Sequence, residues 1–167
     1  MTTTENTGTA AAAAASGAAT APLADARALA LAHYAARGVL EHVLAGYGLT
    51  FQQHLALRAA VTADAPQSPD DLVAQVRGAL KADPADIRAT LDALVAGALL
   101  AVDGPHLRPT GAGRERVGAV AAATAPLSAR VWAGIPTADL AAAGRVLATV
   151  TERADAELAA LTARQAA

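Results

Sequence analysis

Two helix-start signals of the same type, close together in the chain, constrain the fold of this sequence most strongly. Ser68-Pro69-Asp70-Asp71 and Asp83-Pro84-Ala85-Asp86 each combine an N-capping residue, a proline and an acidic residue. A side-chain oxygen caps the first turn, proline is tolerated there, and a carboxylate interacts favourably with the positive end of the helix dipole. Apolar residues at helical spacing follow each signal. The sequence therefore predicts two short helices joined by a tight turn, a helix-turn-helix arrangement.

Periodic apolar segments on both sides of this pair predict further helices. One runs from Leu23 to Tyr47, and another follows Thr50, a residue suited to N-capping, as far as Val61. Helical periodicity returns from Gly113, and we expect Pro126 to kink or split that helix. A final amphipathic helix starts after Pro136. Its apolar face has little left to pack on within so small a chain, which indicates a partner chain.

The segment between the helix-turn-helix and Gly113 predicts a short β-hairpin. Residues 99–102 and 106–108 are the expected strands, and Asp103-Gly104-Pro105 turns the chain between them. Elsewhere the composition favours helices, because 54% of the residues are hydrophobic but only 2% are aromatic. The predicted fold class is mainly α: a winged helix-turn-helix lobe with a short β-hairpin wing and helices at both ends.

Composition and charge exclude several functions. The formal net charge of −2 does not support a strongly basic nucleic-acid binder, so any DNA binding has to come from locally placed cations. The chain has no cysteine, which excludes disulfides, thiolate catalysis and Cys-based zinc sites. No serine lies in a Gly-x-Ser-x-Gly turn, and no glycine-rich phosphate loop follows a strand. We expect no enzyme activity, no cofactor and no metal site.

The first 22 residues are rich in Thr and Ala and include an alanine run from Ala10 to Ala15. They lack the cationic start and the Leu-rich stretch of a signal peptide, and we expect a disordered tail over residues 1–22. Apolar stretches elsewhere are interrupted well before the ~18 residues needed to span a bilayer. The expectation is a cytoplasmic protein with no membrane partner.

The order of these segments resembles the MarR family of transcriptional regulators from about residue 27 to the C-terminus. The similar segments are 49–61 (the family's second helix), 68–100 (its helix-turn-helix), 107–117 (strand exit and next helix) and 135–158 (the terminal dimerisation helix). The last is the most characteristic, because many other winged-helix proteins lack it. The wing is shorter than in the family, with only Asp103-Gly104-Pro105 at its tip.

The resemblance implies a domain organisation and a function. It implies one MarR-like domain over residues 23–167, with a winged helix-turn-helix at 49–117 and dimerisation helices at 23–47 and 118–167. The implied function is a homodimeric transcriptional regulator that binds a palindromic operator in double-stranded DNA. A small aromatic or anionic effector would release it.

Cations in and around the predicted helix-turn-helix and wing are the candidate DNA contacts. Arg88 lies near the start of the second helix, where it would reach a guanine edge, and the others would face phosphates. The remaining cationic candidates are Arg77, Lys81, His106 and Arg108, followed by Arg114 and Arg116. Thr90, on the second helix, is an uncharged candidate for a DNA contact. Aspartates lie among them, so a role as ordinary solvated surface stays open for these cations.

Candidate effector contacts come from the resemblance, since many family members hold an anionic aromatic ligand between the dimerisation helices and the DNA-binding lobe. His33, His54 and Arg58 would supply polar contacts there. A structural or solvent-facing role stays open for each. The spacing of His33 and His42 does not place both rings on one helical face, as paired metal ligands at i,i+4 would require.

Two other functions stay open. One is a winged-helix module that dimerises and binds protein without specific DNA binding. The other is a dimerisation domain like that at the N-terminus of some small-molecule O-methyltransferases, whose helix-turn-helix and short wing look alike. The terminal helix that starts at Pro136-Thr137-Ala138-Asp139-Leu140 argues against the second.

Overall fold

The structure is a computed structural model that describes residues 23–63 and 65–165. The described residues form six helices and two strands, in the order α1 (Ala26–Gly46), α2 (Phe51–Thr62), α3 (Pro69–Leu80), α4 (Pro84–Ala96), β1 (Leu100–Asp103), β2 (His106–Pro109), α5 (Gly111–Trp132) and α6 (Thr137–Gln165). The predicted fold class, mainly α with a short β-hairpin wing, is confirmed. The predicted disordered tail at 1–22 lies outside the described residues.

The chain divides into two compact units, residues 1–37 and 38–167. The described part of the first unit includes the N-terminal part of α1, which exposes the large apolar side chains of Leu29, Leu31 and Tyr34. The second unit begins within α1 and contains α2 to α6 and the hairpin. None of the described helices is both long and apolar enough to cross a membrane.

The helix starts predicted from sequence are N-caps in the structure. The Ser68 hydroxyl accepts a hydrogen bond from the backbone N–H of Asp71 at 3.1 Å, and Asp83 Oδ1 accepts one from Ala85 at 2.7 Å. Pro69 and Pro84 occupy the first helical positions, where a backbone N–H has no helical partner to lose. Local chemistry therefore positions both helices of the pair. Residues 81–83 join them.

The core of the second unit lies among α2, α3 and α4. Its largest fully buried side chains are Leu44, Leu57, Leu72, Ile87, Leu94, Leu100 and Val120. On α4, Ile87, Leu91 and Leu94 repeat at helical spacing and face this core, which leaves the opposite face of the helix exposed. No described residue of α6 is buried, so the core does not depend on that helix.

The wing is an antiparallel hairpin, with Leu100 opposite Pro109 and Asp103 opposite His106. Its two-residue loop includes Gly104 at a φ of 58°, a left-handed conformation that glycine adopts without steric cost. Both strands end one residue later than the sequence predicted. The segment before α3 also pairs with the wing, because Gln67 exchanges two backbone hydrogen bonds with Leu107 at 2.8 and 3.2 Å.

The helix α5 is continuous through Pro126, so the expected split at this residue does not occur. Proline has no N–H and leaves one carbonyl of the preceding turn without its helical donor. Pro126 is exposed, where water can bond that carbonyl, and this explains why one helix tolerates it.

Gly113 lies where α5 passes close to the backbone of Leu99. A Cβ at this position would lie 2.2 Å from the carbonyl oxygen of Leu99. Gly113→Ala is therefore expected to lower the free energy of unfolding by about 1–3 kcal/mol, measured by denaturant titration. Gly118→Ala, in the same helix with nothing within 4 Å of the added Cβ, is the control and is expected to stabilise by up to about 1 kcal/mol. Equal effects of the two changes would contradict this.

Candidate nucleic-acid interface

The exposed face of α4 carries a single cation, Arg88, in the second turn of the helix. Its neighbours on that face, Ala85, Asp86 and Ala89, are small or acidic. Thr90 is half-buried, and its hydroxyl donates to the carbonyl of Asp86 at 2.9 Å. Any base contact made by a positive side chain of α4 therefore falls to Arg88.

The guanidinium of Arg88 is bound to a carboxylate of the preceding helix. Its Nη2 donates to Asp70 Oδ1 at 2.7 Å, and the two side chains are 54% and 80% exposed. The bond joins the first turn of α3 to the second turn of α4 across the surface of the lobe. An ion pair this exposed contributes at most about 1 kcal/mol to stability.

The turn between α3 and α4 carries a second cation, Lys81, in a left-handed conformation at φ 54°. Its Nζ contacts Asp155 Oδ1 of α6 at 2.8 Å and donates to the carbonyl of Gly78 at 2.7 Å. Arg77 is exposed in the last turn of α3. Together with Lys81 it lines a groove of about 960 Å³ between the α3–α4 turn and α6, opposite Asp155 and Leu158. The groove thus combines two cations, two carboxylates (Asp83 and Asp155) and an apolar wall.

The wing presents its polar side chains outward. His106 and Arg108 are exposed, whereas Leu107 and Pro109 between and after them are buried. Arg108 Nε lies 3.4 Å from Asp103 Oδ2, on the paired strand. The hairpin therefore holds Arg108 at the surface beside a carboxylate, as the helix pair does with Arg88.

The two arginines that follow the wing contact backbone carbonyls. Arg114 Nη2 donates to the carbonyl of Pro109 at 3.2 Å. Arg116 is half-buried and its Nη1 donates to the carbonyl of Tyr47, at the end of α1. Arg116 therefore links α5 to the start of the second unit, a contact that the sequence did not reveal.

Of the residues suggested as effector contacts, His54 and Arg58 lie one turn apart on α2. His54 is only 5% exposed, and its Nδ1 has no hydrogen-bond partner among the described residues. Burial, and secondarily the positive charge of Arg58, lower the pKa of His54 from its ordinary value. Arg58 is exposed. His33 lies in the first unit, where its exposed ring contacts that of Tyr34 at a centroid distance of 5.5 Å.

The buried His54 predicts a stability that depends on pH. Below pH 6.5 the unfolded chain, in which His54 has its ordinary pKa, binds more protons than the folded chain. The free energy of unfolding is therefore highest above pH 6.5 and falls as the pH drops towards the lowered pKa, by at most about 1.4 kcal/mol per pH unit. Denaturant titrations across this range should show a flatter profile for His54→Leu. Replacing the exposed His106 by Asn should keep the wild-type profile, and two identical profiles for wild type and His54→Leu would contradict the prediction.

Comparison with known proteins gives a match at the level of the fold. No protein-family model matches the chain, and no curated protein sequence does. Among solved structures, Staphylococcus aureus MarR in complex with salicylate and kanamycin matches with a TM-score of 0.65 and 18% identity, over 75% of this chain and 87% of that one. The chain has the fold of the MarR-family regulators.

Two further MarR-fold structures cover similar shares of the chain. CouR from Rhodococcus jostii RHA1, bound to p-coumaroyl-CoA, matches with a TM-score of 0.62 and 18% identity, over 74% of this chain and 88% of that one. The MarR family protein Rv2887 of Mycobacterium tuberculosis, in complex with DNA, matches with a TM-score of 0.58 and 20% identity, over 76% and 98%. At these identities the likeness concerns the MarR fold.

The sequence did not predict the contacts of two carboxylates at this surface, those of Asp70 and Asp155. Asp70 and Asp71 were both explained by helix capping, but Asp71 alone bonds Ser68, while Asp70 bonds Arg88. Asp155 lies far from Lys81 in sequence and approaches it only through the course of α6. No local pattern marks either contact, since each joins residues on different helices.

No group of His, Asp or Glu side chains in the described part of the chain could hold a metal ion.

Proposed function

We propose that the protein is a homodimeric transcriptional regulator that binds a palindromic DNA operator and is released from it by a small ligand. The observation that carries the proposal is the set of exposed cations on the helix-turn-helix and wing of a MarR fold. Arg88 stands near the start of α4, Lys81 at the turn before it, and Arg108 on the wing. Recognition helices of this motif contact bases through their N-terminal residues, and flanking cations contact phosphates.

DNA binding is further supported by the exposure of these side chains. Lys81 and Arg108 pair with carboxylates at the surface, and phosphate oxygens can replace such exposed ion pairs at small cost. Arg77 and His106 are exposed beside them, and we include both among the phosphate contacts. Thr90 contributes less, because its hydroxyl already bonds the helix backbone. The structure of Rv2887 with DNA supports the same use of the fold.

Dimerisation is supported by an apolar stripe on α6, formed by Leu147, Val150, Ala154, Leu158 and Leu161. At 100° per residue these five positions share one face of the helix, and all are exposed in the single chain. Trp132 at the end of α5 is 55% exposed as well. A stripe of this length is covered in a dimer, and two-fold symmetry would match the two halves of a palindromic operator.

An effector is supported by the ligands of two neighbours, salicylate with Staphylococcus aureus MarR and p-coumaroyl-CoA with CouR. In this chain, His54 offers a buried ring nitrogen without a partner among the described residues, and the guanidinium of Arg58 would attract an anion. We propose that both contact a small aromatic or anionic effector. The contribution of His33 stays a prediction from the resemblance.

The test is a selection of DNA by the purified full-length protein. Fragments of the genome that encodes it are incubated with the protein, and the retained fragments are sequenced. We expect enrichment of fragments that share an inverted repeat, and tighter binding to them than to scrambled DNA of the same length. Equal binding to both would reject the regulator.

A second candidate function is a protein-interaction module that dimerises through the same helices. It is favoured by one observation: Lys81, Arg88 and Arg108 each already contact a carboxylate of the same chain. Together with the net charge of −2, these ion pairs reduce the positive charge that the helix-turn-helix and the wing present to DNA. The DNA selection separates the two functions, because the interaction module enriches no sequence.

A further inference from the structure

Recognition of a DNA sequence by α4 depends on one side chain. Arg88 is the only cation of the helix, and the exposed residues around it are too short or too acidic to make two hydrogen bonds to a base. An arginine that reads guanine has to present two N–H groups in one plane to O6 and N7. The selectivity of this protein for its operator therefore depends on how the guanidinium of Arg88 is oriented. This reasoning rests on the proposed DNA-binding function.

The orientation of that guanidinium is set by Asp70. The 2.7 Å bond uses one N–H of Nη2, and an arginine side chain has five N–H donors. Four donors are left for DNA, so the bond to Asp70 and a pair of hydrogen bonds to guanine can coexist. A guanidinium already held in one plane also loses less conformational freedom when it binds a base.

Among the described residues, the Asp70 side chain forms no hydrogen bond or ion pair other than the one with Arg88. The cap of α3 is made by Ser68, whose hydroxyl accepts from the N–H of Asp71 and donates to Asp71 Oδ2 at 2.6 Å. Asp70 lies in the same helical turn, carries the same charge and forms its ion pair with Arg88. The two aspartates therefore form a natural pair of test and control positions.

We propose that Asp70 is a positioning residue for sequence recognition, holding Arg88 in the orientation that reads a guanine of the operator. Its carboxylate also repels phosphates, so Asp70 weakens binding to DNA that offers no guanine at the right place. Asp70 thus strengthens binding to operator DNA and weakens binding to non-operator DNA. A carboxylate that merely competed with DNA for Arg88 would weaken both.

The experiment measures the affinity of full-length wild type and variants for a selected DNA fragment and for its scrambled version, by fluorescence anisotropy. Asp70→Ala is expected to bind the selected fragment about three- to tenfold more weakly for each half-site, the cost of ordering a free arginine. Its affinity for scrambled DNA is expected to stay equal or to rise. Asp70→Asn keeps one acceptor oxygen and should lose less than Asp70→Ala.

Two controls make the result specific to Arg88. Asp71→Ala removes the same charge from the same turn, and it should change the affinity for both DNAs by the same factor. In an Arg88→Ala background, replacing Asp70 should no longer reduce binding to the selected fragment. This double-mutant cycle responds to the contact itself and not to the stability of α3.

Three results would overturn the proposal. Tighter binding of Asp70→Ala to both DNAs would mean that Asp70 competes with DNA for Arg88. A loss of selectivity in Asp71→Ala equal to that in Asp70→Ala would assign the effect to charge or to the helix start. If wild type itself does not distinguish the fragments, the proposed function fails and this inference fails with it. The first two results leave the proposed function intact.

Discussion

Replacing Leu147 by Asp is expected to convert the protein from a dimer into a folded monomer. Leu147 is 45% exposed in the single chain and lies in the apolar stripe of α6. In a dimer whose interface is this stripe, the new carboxylate of each chain would be buried without a partner, which costs several kilocalories per mole for each chain. Since each 1.4 kcal/mol is a factor of ten, the dissociation constant should rise by more than about a hundredfold.

The lobe is expected to survive this change, because its buried core lies between Leu44 and Val120 and includes no described residue of α6. Sedimentation velocity at micromolar concentration measures the mass, and circular dichroism measures the retained helix content. Thr149→Asp is the matched control: it places the same charge on the opposite face of α6, between Arg145 and Arg153. A wild-type protein that sediments as a stable folded monomer would refute the dimer, and a dimeric Leu147→Asp would refute the role of the stripe.

The second large effect concerns DNA and separates base reading from phosphate binding. Arg88→Ala is expected to weaken binding to the selected operator by ~1–3 kcal/mol for each half-site, because the variant cannot form the two hydrogen bonds to guanine. Arg108→Ala should weaken binding to all sequences alike. It should also flatten the slope of log affinity against log salt concentration by about 0.9 for each phosphate that the arginine neutralises in the wild type.

Mobility-shift titrations of wild type and both variants, on operator and scrambled DNA at two salt concentrations, measure both effects. Arg145→Ala, which removes an exposed arginine of α6, controls for the change in net charge. If Arg88→Ala lowers affinity equally for both DNAs, Arg88 contacts phosphate and does not read a base. An unchanged salt slope in Arg108→Ala would remove the wing from the interface.

Much of the fold was predictable because the signals that define its elements are local. Ser68, Asp83 and Thr50 each accept a hydrogen bond from a backbone N–H within three residues. A helix start can therefore be recognised from a short segment of sequence. The wing was placed within one residue for the same reason, since Gly104 defines its turn. The order of these elements was enough to suggest the MarR fold.

The candidate interface was predictable only in part. The sequence identified Arg88, Lys81 and Arg108 as exposed cations of the helix-turn-helix and wing, and all three are exposed in the structure. It did not identify their partners, because Asp70 and Asp155 reach Arg88 and Lys81 from other helices. Arg116 belonged to the same group by sequence, yet it bonds the carbonyl of Tyr47.

By itself, then, the sequence determined where α2, α3, α4 and α6 begin, and that charge is too balanced for general attraction to DNA. Capping, periodicity and net charge depend on neighbours within a few residues or on composition alone. The tertiary structure decided that His54 is buried, that Gly113 touches the Leu99 carbonyl, and that Asp70 holds Arg88. These contacts depend on how separate helices pack, and distances between packed helices are not encoded in any one segment.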